Sequence, residues 1–306
     1  MRAIRAAVGL ALSMGMVAGV VGCGQDKPAS DHQHAAAAVV ASTNVWGSVA
    51  SAVTGDHTSV KSIISSAADD PHSFEVAPAD AATIADASLV VYNGGGYDHW
   101  VDDVVSSHKN VQAVNAYSLL PSSVPQPANE HVFYDLEVAK AVVNQIADKL
   151  SQSDADHAND YKANASKFAE QADTIAAAER AIGASHPGAS VVATEPVAHY
   201  LLVNSGIADK TPEGFTNAIE QDTDPSPADL AALLDLIKTR QVSALVYNSQ
   251  TQTDVTKQIQ DAAEQAAVPI VTVTETLPAG TDYLTWQRQT VDQLASQLHK
   301  SPQTNR

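Results

Sequence analysis

Short apolar strands alternate with helices twice along this chain, on either side of nearly fifty residues that contain few chain breakers. No other feature restricts the fold as much. VVASTNVW (39–46) reads as a buried strand running into a short helix, and TSVKSII (58–64) as the next strand. PADAATIADA (78–87) is a helix, SLVVYN (88–93) a strand, YDHWVDDVVSS (97–107) a helix and VQAVNAY (111–117) a strand. Strands separated by helices at this spacing call for a parallel sheet whose crossovers cover both faces. After Gly183 the pattern returns. Strands are predicted at 189–194, 242–248 and 269–275, and helices at 196–206, 227–240, 253–267 and 281–298.

Residues 136–183 carry apolar side chains at spacings of three and four, and Ser153-Asp154 offers a cap that divides the stretch into two helices. The second, about 154–182, would be roughly 40 Å long at 1.5 Å per residue. The expected fold class is therefore α/β, with two similar parallel-sheet lobes, each with its own core, joined by one long rigid helix. The N-terminal lobe is expected over 39–150, the connecting helix over 151–184 and the C-terminal lobe over 185–306. In open α/β sheets ligands bind at the carboxyl ends of the strands, which for two facing lobes means the cleft between them.

The N-terminus addresses the compartment. Arg2 and Arg5 precede an apolar run from Ala6 to Val21 that ends in Val-Val-Gly-Cys. This describes an export signal over 1–22, shorter than the ~20 apolar residues of a membrane span. Cys23 is the only cysteine, which excludes an intrachain disulfide. Its place after a small residue marks it as a lipidation site, with 23–38 as a flexible tether. A net charge of −18 and the lack of any Lys/Arg cluster with interleaved aromatics exclude nucleic acid as a partner.

Four polar residues fall at strand ends or on the loops beyond them. His72 follows the second strand in Asp70-Pro71-His72, and His131 closes a Pro/Ser-rich loop. Glu195 and Glu275 end two strands of the second half. Two imidazoles with two carboxylates suit a divalent transition metal such as Zn, Mn, Fe or Ni, and the carboxylates would cancel the charge of the ion. His199, four residues after Glu195, is a reserve ligand, and His99 is expected to face water. The glycines of GGG (94–96) read as a tight strand-to-helix turn, since no Lys-Ser/Thr follows them.

DPHSFEVAPAD, VVYNGGGYDHWVDDVV and EHVFYD together resemble the zinc/manganese (cluster A-I) class of solute-binding lipoproteins of metal ABC importers. The likeness spans most of 39–300. It implies two α/β lobes joined by one long helix, and a metal held by His72, His131, Glu195 and Glu275. It further implies an ABC membrane permease with its ATPase as partners, a lipid anchor on the outer face of the cytoplasmic membrane, a monomer, and no catalysis. In that family Glu at the position of Glu195 goes with manganese and His with zinc, so the transported ligand is expected to be Mn2+ or Zn2+, with a lean to Mn2+. This chain departs from the pattern at three places. It has HVFYDL for the second-histidine element, Asn248 where many relatives carry Glu, and Glu275 where Asp is usual. The competing readings are an exported metal-dependent hydrolase and a surface adhesin with the same fold.

Overall fold

β1 (Val39–Thr43) is buried at every position, as a strand between two neighbours with helices on both faces must be. It feeds α1 (Asn44–Thr54), followed by β2 (Val60–Ile64), α2 (Pro78–Ala85), β3 (Leu89–Tyr92), α3 (His99–Ser107) and β4 (Gln112–Asn115). The computed structural model describes residues 39–66, 69–221 and 223–300. The expected signal, the tether and Cys23 lie outside the described residues.

All pairings in this first sheet are parallel, in the order β2-β1-β3-β4. The second sheet repeats the plan with β5 (Ser190–Ala193), β6 (Ala208–Asp209), β7 (Ala244–Asn248) and β8 (Ile270–Val273), in the order β6-β5-β7-β8. Its helices are α6 (His199–Asn204), α7 (Glu213–Glu220), α8 (Pro227–Lys238), α9 (Asp254–Ala266) and α10 (Tyr283–Lys300). β3, β5 and β7 are buried throughout, whereas the edge strands β2, β4, β6 and β8 are not.

Between the sheets run α4 (Leu136–Ser153) and α5 (Ala158–Ser185). Asp135 caps α4 by accepting the Glu137 N–H at 2.9 Å. Asp154 leaves the helical region, with φ −137° and ψ 78°, and breaks the helical run near the predicted point. The 28 residues of α5 reach about 42 Å.

The expectation of a separate core for each lobe needs correction. The largest apolar cluster holds Val39 and Val91 of the first sheet, Val191, Val246 and Val271 of the second, and the inner faces of α4, α5 and α10. Smaller clusters cover the outer face of each sheet. The described residues accordingly belong to one compact unit.

Polar contacts reinforce the shared core. Asn44 and Leu277 exchange two hydrogen bonds, at 3.1 and 2.9 Å. Tyr134 Oη donates to the Thr274 carbonyl at 2.9 Å, and Tyr283 Oη and Gln287 Nε2 both donate to the Phe133 carbonyl. A two-residue β6 and the short α7 were not foreseen. β6 is too brief to show a period of two, and α7 buries only Phe215.

Candidate metal centre

His72 is held by its own turn. Asp70 Oδ1 accepts the His72 N–H at 3.0 Å and Oδ2 the Ser73 hydroxyl at 2.8 Å, an Asx turn that fixes the backbone beyond Pro71. The Tyr97 ring meets the imidazole edge-on, with centroids 4.7 Å apart.

His131 is 3% exposed. Asn129 Oδ1 accepts both its backbone N–H at 2.9 Å and its Nδ1–H at 3.1 Å. A carbonyl oxygen only accepts, so Nδ1 carries the proton and Nε2 presents its lone pair. The loop bearing His131 is tied to the end of β3, because Asn93 Nδ2 donates to the Glu130 carbonyl at 2.8 Å. Asn93 and Gly94 in turn donate their N–H groups at 2.7 Å to the buried Asp98 carboxylate. The turn between them needs glycine: Gly94 has φ +73°, and a Cβ there would meet Asn115 Oδ1 at 2.2 Å. The Asn-Gly-Gly-Gly-Tyr-Asp stretch is thus scaffolding for the two histidines.

In the second half, Glu275 follows β8 and is 2% exposed. Gln250 Oε1 accepts the N–H groups of Glu275 and Thr276, which sets the backbone there. Glu195 follows β5, and its carboxylate is turned onto the end of β7. Asn248 Nδ2 donates to Glu195 Oε2 at 2.6 Å and to Glu275 Oε1 at 2.8 Å, while the Thr251 hydroxyl donates to Glu195 Oε1. One amide therefore bridges two carboxylates that would otherwise repel.

Three of the four expected ligands converge. One donor atom from each of His72, His131 and Glu275 lies within 4.8 Å of the other two. Glu275 Oε2 is 3.3 Å from His72 Nε2 and 3.8 Å from His131 Nε2. Ligands about 2.0–2.2 Å from a common ion stand about 2.8–3.6 Å apart at octahedral or tetrahedral angles. The His72 distance falls in that range and the His131 distance lies just beyond it, so a small inward movement would let the three share a cation. Glu275 Oε2 is buried with no close hydrogen-bond partner. In the metal-free protein the protonated His72 ring 3.3 Å away balances its charge, and a bound metal ion would take that place. Glu195 does not join this cluster. It lines the same cavity, of about 430 Å³.

The cavity is acidic. Asp70, Glu130, Glu195, Glu220, Asp224, Asp254 and Glu275 line it, and no Lys or Arg is among the described lining residues. Burial opposes the charge on His72, but Glu275, Glu130 and Asp70 outweigh it and push its pKa up to about 9. Burial pulls His131 down. Against burial, His72 and His131 hold the Glu275 carboxyl below the usual carboxylate range. Burial raises Glu195 to about 7 despite its bonds to Thr251 and Asn248.

His199 is exposed at the start of α6 and outside the cluster, and His99 is exposed as expected. Thr251 and Gln250 are not marked by any motif in the sequence, and Asn248 is marked only as a departure from the family pattern. A polar run just past a strand, YNSQTQ, was the available signal.

The family described as zinc-uptake complex component A, periplasmic, matches residues 39–297. The manganese-binding lipoprotein MntA of Halalkalibacterium halodurans is 27% identical over 150 residues, about half the length of either chain. MntA of Bacillus subtilis is 23% identical over 258 residues, 80% of this chain and 82% of that protein. Among solved structures, the periplasmic zinc binding protein TroA from Treponema pallidum superposes with a TM-score of 0.73 over 85% of this chain and 98% of its own, at 19% identity.

Proposed function

Because this chain belongs to the family of periplasmic zinc-uptake components A, we propose that it captures a divalent transition-metal ion, Mn2+ or Zn2+, outside the cytoplasmic membrane and delivers it to the permease and ATPase of an ABC importer. The observation that carries this reading is the convergence of His72, His131 and Glu275 around a carboxylate oxygen that no hydrogen bond satisfies. The ion is cargo, so the site must bind it firmly and still release it, and no catalytic step is involved.

The acidic cavity draws cations inward and lowers the local cost of stripping their water. His131 Nε2, already in its acceptor form, and Glu275 make the first contacts, and His72 joins on losing its proton. Glu195 is the fourth ligand. It reaches the ion by exchanging its bonds to Asn248 and Thr251 for the metal, so capture closes the site by a side-chain movement. The shared core and the Asn44–Leu277 pair favour such local closure over a wide hinge. Two imidazoles with two carboxylates suit Mn2+, yet Zn2+ stands above Mn2+ in intrinsic affinity for such donors and should bind too.

Cys23 would bear the lipid after removal of residues 1–22, with 23–38 as tether and the body working as a monomer. No described helix is long and apolar enough to cross a membrane. The test is a titration of the metal-free protein with Mn2+ and Zn2+, in competition with each other and with His72→Ala as control. One equivalent bound by the wild type and lost in the variant supports the reading. Equal, negligible binding by both refutes it.

A further inference from the structure

We propose that His186 and His299 form a second metal site, apart from the cleft, that takes nitrogen-preferring ions such as Ni2+, Cu2+ and Zn2+ and excludes Mn2+. His186 caps the C-terminus of α5, and His299 is the last-but-one described residue of α10. Unpaired carbonyls at the C-terminus of α5 give that end a partial negative charge that favours a cation. β5 begins four residues after His186, so the pair sits by the amino-terminal edge of the second sheet. Glu195, Asn248 and Glu275 lie at the carboxyl edge.

Both rings are prepared as ligands. His186 Nδ1 is 3.1 Å from the Ile182 carbonyl and His299 Nδ1 is 2.7 Å from the Ala295 carbonyl. Each Nδ1 must therefore be the donor, which leaves Nε2 of the neutral ring with its lone pair and fixes the ring orientation. A histidine that binds metal ordinarily makes this same bond through its other nitrogen.

The ring separation is compatible with one ion. The centroids are 4.5 Å apart and the planes cross at 79°. With metal–nitrogen bonds of about 2.0–2.1 Å, two imidazoles on one ion have centroids about 4.6 Å apart at a right angle and about 5.3 Å at a tetrahedral angle. The His57–His157 pair differs: its rings stack at 4.0 Å and 23°, and near-parallel faces do not aim two nitrogens at a common point. His186 is half-buried and His299 exposed, so water can fill the remaining positions. Two imidazoles with water select ions high in the affinity order for nitrogen, and Mn2+ stands lowest in that order.

The experiment is equilibrium dialysis of the metal-free full chain against Ni2+ and, separately, Mn2+. The wild type should take up two Ni2+ and one Mn2+. His186→Gln and His299→Gln, singly and together, should hold one Ni2+ and still one Mn2+, with at least a tenfold loss of affinity for the second Ni2+. His72→Ala should keep one Ni2+, which separates this site from the cleft. A wild type that binds a single Ni2+ overturns the proposal. So does a double variant that keeps both, which would place the second ion elsewhere on the chain.

Discussion

Glu275 Oε2 stands 3.3 Å from His72 Nε2 yet accepts no hydrogen bond from it. A charge-assisted bond in a dry site would close to about 2.7–2.9 Å. The gap is instead set by the two backbones: Asp70 holds the turn of His72, and Gln250 holds the N–H of Glu275. In the metal-free protein the two form a loose ion pair, and a metal ion would replace the His72 proton between them.

The first prediction follows directly. Glu275→Ala removes the buried anion at the centre of the cluster and leaves two imidazoles with only the displaced Glu195, so metal affinity should fall by at least a hundredfold while the fold persists. His131→Ala should do the same, since its Nε2 is the ligand nitrogen already freed of its proton. Calorimetric titration with Mn2+ and Zn2+ reads both. Affinity within threefold of wild type in either variant would contradict the shared-ion geometry.

Metal binding should also depend on pH, with the sign set by His72. Its pKa of about 9 in the metal-free protein means that the ring is protonated at neutral pH, whereas a metal needs the lone pair. From pH 9 down to pH 7 each unit should therefore cost about tenfold in affinity, and near pH 7.5 about one proton should leave for each ion bound. Below about 7 the slope should steepen as Glu195 protonates. Titrations in two buffers of different ionisation enthalpy measure the released proton. Uptake without proton release at pH 7.5 would count against His72 as a ligand.

How much of this was legible beforehand differed by residue. His72 and His131 stood out through the motifs that resemble the metal-binding family, and the segments that hold them are local: Asp70-Pro71-His72 carries its own turn, and the glycines and Asp98 lie within a few residues of Asn93. The doubled sheet was readable because buried parallel strands are near-continuous apolar runs. The position of the Glu195 carboxylate was not. It depends on Asn248 and Thr251, more than fifty residues away, and an amide donor at a strand end leaves no mark in periodicity. The shared core escaped for a related reason. A strand's pattern tells which residues are buried but not which neighbour buries them, so two alternations looked like two cores.

Thr251 offers a test of the proposed movement of Glu195. Its hydroxyl donates to Glu195 Oε1, and a bond to a charged group contributes about 1.5–3 kcal/mol. If Glu195 leaves Thr251 to reach the metal, Thr251→Val removes a bond that only the metal-free state makes. Affinity should then rise, by about tenfold. Glu195→Gln should weaken it by a similar factor or more. A Thr251→Val variant that binds more weakly than wild type would mean that the hydroxyl supports the bound state instead.

Glu179 gives a prediction about stability. It is fully buried in the C-terminal third of α5, and neither carboxylate oxygen has a hydrogen-bond partner. Burial, with the charge of Asp135 adding to it, pushes its pKa up to about 8. In the unfolded chain the group ionises near 4.5, so between about pH 4.5 and 8 the folded state holds a proton that the unfolded state has lost. Stability must fall across that window as pH rises, because proton release favours unfolding. The fall reaches on the order of 4 kcal/mol for a shift of this size. Glu179→Gln keeps the shape of the protonated carboxyl but cannot ionise. Urea unfolding at pH 5 and pH 8 should show the variant close to wild type at the lower pH and more stable than wild type at the higher. An identical pH dependence in the two proteins would mean that Glu179 finds a cationic or hydrogen-bonding partner in solution and ionises normally.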